Sequence, residues 1–146
     1  MSQALNQPTA AFIAASWVAL FAGSLAFCIG LWNAPLPLNE KGFYLTIILY
    51  GLFAAVSLQK TVRDQAENIH VTSLYVSLCW ASVIISIALL AVGLWNAPLE
   101  LSAKGFYIMA FLLALFGAVA VQKNIRDLVS VKSRIPVMSN DDNQQD

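Results

Sequence analysis

The chain has 146 residues, of which 59% are hydrophobic and 11% charged, with a formal net charge of zero and two cysteines. Soluble domains carry about 25% charged residues, so this composition excludes an ordinary water-soluble domain and favours an integral membrane protein. Zero net charge argues against a nucleic-acid-binding surface, and two cysteines are too few for a disulfide framework. Residues 1–39, 42–59, 71–99 and 105–122 contain no Asp, Glu, Lys or Arg, and each stretch can cross roughly 30 Å of hydrocarbon.

The first predicted element is a transmembrane helix over residues 10–32. Thr9 precedes it as an N-cap, and Asn33 follows it as a C-terminal cap in the left-handed conformation. Pro35 prevents the helix from continuing. The run lacks the positively charged start and the cleavage site of a signal peptide, so we expect it to remain in the mature protein.

The second predicted helix returns through the membrane over residues 40–59. Asn39 is its predicted N-cap, and Glu40 lies near the positive end of the helix dipole. The sequence QKTVRD follows at the far boundary. Trp32 and Tyr44 both lie near the connection between the two helices, as an aromatic belt at a membrane–water interface predicts.

The second half of the chain repeats the first. Gly30–Tyr44 reads GLWNAPLPLNEKGFY and Gly93–Tyr107 reads GLWNAPLELSAKGFY, with 12 of 15 positions identical at an offset of 63 residues. The same offset relates QKTVRD to QKNIRD. The chain is therefore a tandem duplication of a two-helix membrane hairpin, which predicts helix 3 over residues 73–95 and helix 4 over residues 103–122. Their predicted N-caps are Thr72 and Ser102, and their belt aromatics are Trp95 and Tyr107.

Orientation follows from the distribution of Lys and Arg. The linker side carries Lys41 and Lys104, whereas six cations lie on the opposite side: Lys60, Arg63, Lys123, Arg126, Lys132 and Arg134. The positive-inside rule then places both chain termini in the cytoplasm, with both linkers facing outward. We expect an all-α membrane protein with four transmembrane helices, arranged as two tandem helical hairpins in parallel orientation and related by a pseudo-twofold axis along the membrane normal.

The predicted organisation has five segments. Two are the repeats, and the others are an N-terminal cytoplasmic segment, a cytoplasmic loop between the repeats and a mobile cytoplasmic tail that is too polar to fold alone. In chain order they cover residues 1–8, 9–64, 65–71, 72–127 and 128–146.

The linker GLWNAPLxLxxKGFY and the terminal QKxxRD, each present twice, resemble the two-helix module of the YiaA/YiaB family of bacterial inner-membrane proteins. The resemblance covers residues 9–127. It implies an inner-membrane location in a bacterium and brings no characterised activity, so it transfers no catalytic residues. The two copies differ at Glu40 and Ala103, so an acidic role at that helix turn cannot be required of both halves.

Two candidate sites stand out. The first is the linker, interpreted mainly as a structural re-entry turn and alternatively as a docking surface for an outer partner. The second is the QKxxRD segment, in which Lys and Asp four residues apart can pair on one helix face. It is interpreted as a positive-inside anchor, or alternatively as a binding site for anionic lipid headgroups. The linker residues are Trp32, Asn33, Pro35, Lys41, Trp95, Asn96, Pro98 and Lys104. The boundary residues are Gln59, Lys60, Arg63, Asp64, Gln122, Lys123, Arg126 and Asp127.

The apolar runs contain no ionisable Asp, Glu, Lys, Arg or His, which argues against a proton-coupled transporter. No nucleophile–base pair, phosphate loop or metal-ligand spacing is visible, so we expect no enzyme activity, no cofactor and no metal. Cys28 and Cys79 lie at different depths and should not form a disulfide. Gln59 and Gln122 should find interhelical partners in the packed bundle or, alternatively, form a polar pair at a pore mouth.

Small residues recur at fourfold spacing, a pattern that lets helices approach closely inside one chain or between copies. They are Ala22, Ala26, Gly30, Gly51, Ala55, Ala110, Ala114 and Ala118. The leading hypothesis is a non-enzymatic structural or accessory protein of the inner membrane that associates with itself or with other envelope proteins. The alternative is a passive channel or small-solute transporter, favoured by the internal repeat.

Overall fold

The computed structural model describes residues 7–141, with side chains described as far as residue 134, as four α-helices. They are α1 (Ala10–Asn33), α2 (Leu38–Ala66), α3 (Ser73–Asn96) and α4 (Leu101–Asp141). All four are long and apolar enough to cross a membrane. The predicted all-α fold with two tandem two-helix repeats is confirmed.

The N-termini of α1 and α3 begin as predicted. Thr9 and Thr72 precede the helices in extended conformation, and their hydroxyl oxygens accept hydrogen bonds from the backbone N–H groups of Phe12 and Tyr75 at 3.2 and 3.4 Å. A threonine in this place satisfies one of the amide donors that the first helical turn leaves without a partner. The 63-residue repeat therefore extends to the capping contacts.

The C-termini of the same helices end differently from the prediction. Asn33 and Asn96 are helical, and their side-chain amides donate to the carbonyl oxygens of Ile29 and Val92, each at 2.8 Å. The only non-glycine residue with positive φ between residues 7 and 141 is Asn68, at 58°, in the turn between α2 and α3. The prediction of left-handed caps at the two linker asparagines is wrong, because the residues that leave the helix are the extended Ala34 and Ala97.

The returning helices also begin earlier than predicted. α2 starts at Leu38 after Pro37, and α4 starts at Leu101, so Asn39 and Ser102 lie inside the first turn and are not N-caps. Proline suits the position before a helix because its φ of −66° is already fixed and its missing N–H needs no partner there.

Both returning helices are longer than the predicted membrane spans. α2 continues to Ala66 and α4 to Asp141. At about 1.5 Å per residue, their last turns extend past a hydrocarbon core of about 30 Å. Helix therefore covers much of the segment 128–146 that we predicted to be a mobile tail, whereas residues 1–6 and 142–146 lie outside the described residues. The mobility of the tail stays a prediction.

The two hairpins interleave. α1 packs mainly along α4, α3 packs mainly along α2, and α2 contacts α4 at the centre of the bundle, whereas the two helices of each hairpin contact each other little. Each repeat therefore obtains most of its helix packing from the other repeat. Both linkers lie at one end of the bundle, where Leu36 and Leu99 border the same small space. We call this the linker end and the opposite end the terminal end.

The buried positions obey the pseudo-twofold relation. α1 buries Ser16, Gly23, Phe27 and Leu31, and α3 buries the positions 63 residues later, Cys79, Ser86, Leu90 and Leu94. The core also contains Phe111 of α4, which lies against Phe27 with a ring-centroid distance of 6.3 Å. Because the two hairpins share one linker end and one set of buried positions, they point the same way across the membrane.

The two helix pairs differ in how closely they approach. A Cβ atom on Gly117 would lie 2.3 Å from the backbone nitrogen of Leu20, and one on Gly23 would lie 2.5 Å from that of Ala114. α1 and α4 are therefore in backbone contact. The equivalent positions in the other pair are Ser86 and Ala54, both buried, so α2 and α3 pack with side-chain atoms between their backbones.

Candidate functional site

The terminal end carries a cluster of charged side chains on α2 and α4, which we call the terminal cluster. It contains Lys60, Arg63, Asp64, Glu67, Lys123, Arg126 and Asp127. Two of its ion pairs were predicted from spacing and are present. Lys60 donates to Asp64 at 3.0 Å, and Lys123 donates to Asp127 at 2.9 Å, each across one helical turn.

The terminal cluster also joins the two repeats, which the sequence interpretation missed. Arg63 of α2 donates to Asp127 of α4, and Arg126 of α4 donates to Asp64 of α2, at 2.5 and 2.6 Å. These contacts are reciprocal under the 63-residue offset. The sequence feature that could have predicted these pairs is the duplicated Arg-Asp dipeptide. A twofold relation between adjacent helices brings the arginine of one copy to the aspartate of the other.

Glu67 makes the terminal cluster asymmetric. It accepts hydrogen bonds from Arg126 at 2.8 Å and from Arg63 at 3.0 Å. The hydrogen bond from Arg126, which has the larger effect, and that from Arg63 lower the pKa of the Glu67 carboxyl below its ordinary value. The equivalent position in the second repeat is Ser130. The cluster thus contains four cations and three carboxylates, and its arginines and aspartates are largely turned towards one another.

Two polar pairs lie buried beside the cluster, again one in each helix pair. The side-chain amide of Asn124 donates to the hydroxyl oxygen of Ser16 at 3.0 Å, and Thr61 contacts the sulfur of Cys79 at 3.5 Å. Ser16 in turn donates to the carbonyl oxygen of Phe12 at 2.7 Å. Asn124 and Thr61 occupy equivalent positions, as do Ser16 and Cys79. These pairs fix the register of α1 on α4 and of α3 on α2.

The boundary glutamines do not show the predicted interhelical hydrogen bonds. Gln59 and Gln122 are half-buried, and neither side chain bonds to another residue in the described part of the chain. The buried interhelical amide is Asn124, two residues further along α4. Cys28 is exposed and Cys79 is buried, and both are free thiols, as predicted.

At the linker end the two tryptophans are exposed and the two tyrosines are not. Trp32 and Trp95 are 77% and 85% exposed, which fits the predicted aromatic belt. Tyr44 and Tyr107 are buried, and Phe27 packs edge-on against Tyr107 at 5.5 Å. The belt prediction is therefore wrong for the tyrosines, whose rings fill the core between the repeats.

Each linker is closed by a lysine from the following helix. Lys41 donates to the carbonyl oxygen of Trp32 at 2.8 Å and lies 5.9 Å from the centre of its ring system. Lys104 approaches the carbonyl oxygen of Trp95 at 3.5 Å. A lysine near the last carbonyls of a helix interacts favourably with its dipole. Pro35 and Pro98 are exposed on the linkers. Binding of a partner by the linker residues stays a prediction.

Two surface cavities accompany these ends. A cleft of about 350 Å³ lies between the end of α1 and the start of α2 and includes Lys41. A wider, apolar groove of about 480 Å³ lies among α2, α3 and α4 and includes Gln59 and Trp80. Between residues 7 and 134 no group of three or more His, Cys, Asp or Glu side chains could hold a metal ion.

Together these observations define a multi-pass, all-α membrane protein built from two interleaved two-helix modules. The family model described as "yiaA/B two helix domain" matches the chain twice, at residues 12–64 and 75–127. The chain belongs to this YiaA/B family, as its linker and boundary motifs indicated. The two matches coincide with the two repeats.

The chain is similar to three membrane proteins from two bacteria. The chain is 56% identical to the inner membrane protein YiaA of Escherichia coli strain K12 over 127 residues, 87% of this chain and 88% of that protein. It is 39% identical to the uncharacterized membrane protein YubF of Bacillus subtilis strain 168 over 69 residues, 47% of this chain and 79% of that protein. It is 28% identical to the inner membrane protein YiaB of Escherichia coli over 96 residues, 65% of this chain and 80% of that protein. No solved structure matches. The relatives and the four apolar helices support a multi-pass location in the inner membrane.

Proposed function

We propose that this protein is a non-enzymatic structural or accessory component of the inner membrane that acts by associating with itself or with other envelope proteins. Both termini lie in the cytoplasm in this proposal, because six of the eight Lys and Arg residues lie on the terminal side. The names of the relatives, two inner membrane proteins and one uncharacterized membrane protein, are compatible with such a role and name no reaction.

The observation that carries the proposal is a row of exposed alanines on the outer face of α1. Ala11, Ala15 and Ala22 lie on one side of the helix, away from the buried face that contacts α4. The equivalent positions on α3 are Leu74, Leu78 and Ile85, which are also exposed but large. The other small residues of the fourfold pattern on α2 and α4, Gly51, Ala55, Ala110, Ala114 and Ala118, are buried within the monomer.

This difference matters because exposed apolar area does not drive association in lipid. Acyl chains solvate leucine well, so helices associate where small residues allow close backbone approach and many van der Waals contacts. At these equivalent positions α1 presents small residues outward and α3 presents large ones. The small residues of α3, Ser77, Ala81 and Ala88, lie on the next face of that helix, where Ala81 is half-buried. We therefore assign α1 as the helix that contacts a second copy or another membrane protein.

Cysteine cross-linking of the full-length protein in native membranes tests this assignment. In a chain with Cys28→Ala and Cys79→Ala, Ala15→Cys should give a cross-linked dimer or a cross-linked heteromeric product with a short bis-maleimide. The matched variant Leu78→Cys should give none. A protein that is strictly monomeric by native mass spectrometry and yields no product at Ala15 would contradict the proposal.

The packed interior of one four-helix bundle does not support a solute path through a single chain. Phe27 and Phe111 are fully buried at the centre, and the space between the two linkers, bordered by Tyr44 and Tyr107, is too small for a water molecule. A passive channel would therefore have to form between copies. The cross-linking result on α1 is the first requirement for that alternative as well.

A further inference from the structure

The cleft at the linker end combines an apolar interior with a cation at its mouth. Its walls include Cys28, Leu31 and Leu45, and it opens between the end of α1 and the start of α2. Lys41 borders it, beside the exposed indole of Trp32. The cleft is lined by the last two turns of α1 and the first two turns of α2, the part of each helix that is expected to lie nearest the membrane–water interface.

The charge of Lys41 is not neutralised by a neighbouring carboxylate. Its ammonium group gives one hydrogen bond to the Trp32 carbonyl oxygen, and two of its three N–H donors remain. Lys41 is absent from the ion pairs of the described residues, and the adjacent Glu40 is its neighbour in sequence on α2, a spacing at which helical side chains do not face each other. This contrasts with Lys60 and Lys123 of the terminal cluster, each of which is paired with an aspartate.

We propose that this cleft binds one anionic glycerophospholipid, with an acyl chain along the apolar wall and the headgroup phosphate at Lys41. A phosphate oxygen accepts the remaining ammonium donors, and a charge-assisted hydrogen bond of this kind is stronger than one between neutral groups. The exposed Trp32 borders the same cleft, and tryptophan side chains favour the membrane–water interface where lipid headgroups lie. The bound lipid is thus held by the linker lysine, whereas the arginines of the terminal cluster join the two repeats and its lysines are paired with aspartates.

The proposed site belongs to the first repeat. In the second repeat the Lys104 nitrogen lies further from its tryptophan carbonyl, at 3.5 Å. The cavity next to Trp95 is smaller, about 260 Å³, and is bordered by Ala91, Val92 and Asn96 but not by Lys104. The repeat therefore provides a matched control with the same residue types and a different cavity.

Native mass spectrometry of the full-length protein tests the site. The protein is released from nanodiscs that contain equal amounts of phosphatidylglycerol and phosphatidylethanolamine, and the retained lipid is identified by mass. Wild-type protein should retain one phosphatidylglycerol in preference to phosphatidylethanolamine. Lys41→Met should lower this retention about fivefold, the factor expected for one lysine near an anionic lipid. Lys104→Met should change it much less.

A second variant removes the space instead of the charge. Gly42 borders the cleft, and a Cβ atom there would meet no atom within 4 Å, so Gly42→Leu fills the cleft without disturbing the bundle. It should abolish retention, whereas Gly105→Leu, at an equally open position, should not. Thermal midpoints in detergent at or above the wild-type value confirm that both variants fold.

Three results would overturn the proposal. One is equal retention of both lipids by the wild-type protein. Another is unchanged retention in Lys41→Met. The last is an equal loss in Lys41→Met and Lys104→Met, which would indicate a general surface charge and no defined cleft. None of these results affects the cross-linking test on α1, so the two proposals fail independently.

Discussion

The backbone contact between α1 and α4 makes Gly117→Ala the most informative single substitution. The added Cβ would lie 2.3 Å from the nitrogen and 2.6 Å from the Cα of Leu20. Heavy atoms prefer separations of about 3.5–4.0 Å, so α1 would have to move away by roughly 1 Å along its main contact. Overpacking of this kind costs about 1–3 kcal/mol.

A matched substitution separates this cost from helix propensity. Alanine favours a helix over glycine by up to about 1 kcal/mol, and this gain applies to any helical glycine. Gly105→Ala, on the same helix but with no atom within 4 Å of the new Cβ, should therefore be neutral or slightly stabilising. The free energy of unfolding of Gly117→Ala should be lower than that of Gly105→Ala by about 1–3 kcal/mol.

Reversible unfolding in mixed micelles, followed by tryptophan fluorescence, measures this difference. Because both substitutions are glycine to alanine in α4, the propensity contribution cancels to first order. Equal stability of the two variants would refute the close approach of α1 to α4.

The remaining predictions concern the terminal cluster. Asp127→Asn removes the negative partner of Arg63 and Lys123 and should lower the free energy of unfolding by roughly 1–3 kcal/mol, between the values typical of exposed and buried pairs. Lys123→Ala, at an exposed lysine, should cost less than about 1 kcal/mol in the same unfolding assay, and an equal cost would contradict the interhelical role. Because Arg126 and Arg63 lower the pKa of Glu67 in the folded state, its contribution is present above its ordinary pKa of 4.5 and is lost as the pH falls through the lowered folded pKa. Glu67→Gln should therefore flatten the acid limb of a stability–pH profile, and an unchanged limb would exclude Glu67 as one of its causes.

Elements with a local cause could be predicted from the sequence. The Thr9 and Thr72 caps and the lysine–aspartate pairs depend on residues within one helical turn of each other. The four spans depend on continuous apolar stretches of the chain. The starts of α2 and α4 were misplaced because Asn39 and Ser102 are better capping side chains than the residues that actually precede the helices. At Pro37 a fixed backbone angle replaces the capping hydrogen bond.

The interleaving of the hairpins could not be predicted in the same way. A membrane helix is apolar on all sides, so its sequence does not show which face is buried or which helix it contacts. The fourfold pattern of small residues indicated close approach but not the partner, and it did not include Gly23 and Gly117, where the backbones of α1 and α4 meet. The burial of Tyr44 and Tyr107 has the same origin, because a tyrosine near the interface suits both a lipid-facing belt and a core between two repeats.

Disulfide formation at Cys79 tests the interleaved arrangement most directly. In a full-length chain with Cys28→Ala, the variant Thr61→Cys places a thiol from the first repeat next to the native Cys79 of the second, since the Thr61 hydroxyl oxygen lies 3.5 Å from the Cys79 sulfur. Mild oxidation in membranes should convert it to an intrachain disulfide, visible as a reducible shift of the monomer band. The variant Asn124→Cys, which places its thiol in the same repeat as Cys79 but beside Ser16, should remain reduced. A disulfide with Asn124→Cys and none with Thr61→Cys would mean that each hairpin packs on itself, contrary to the structure.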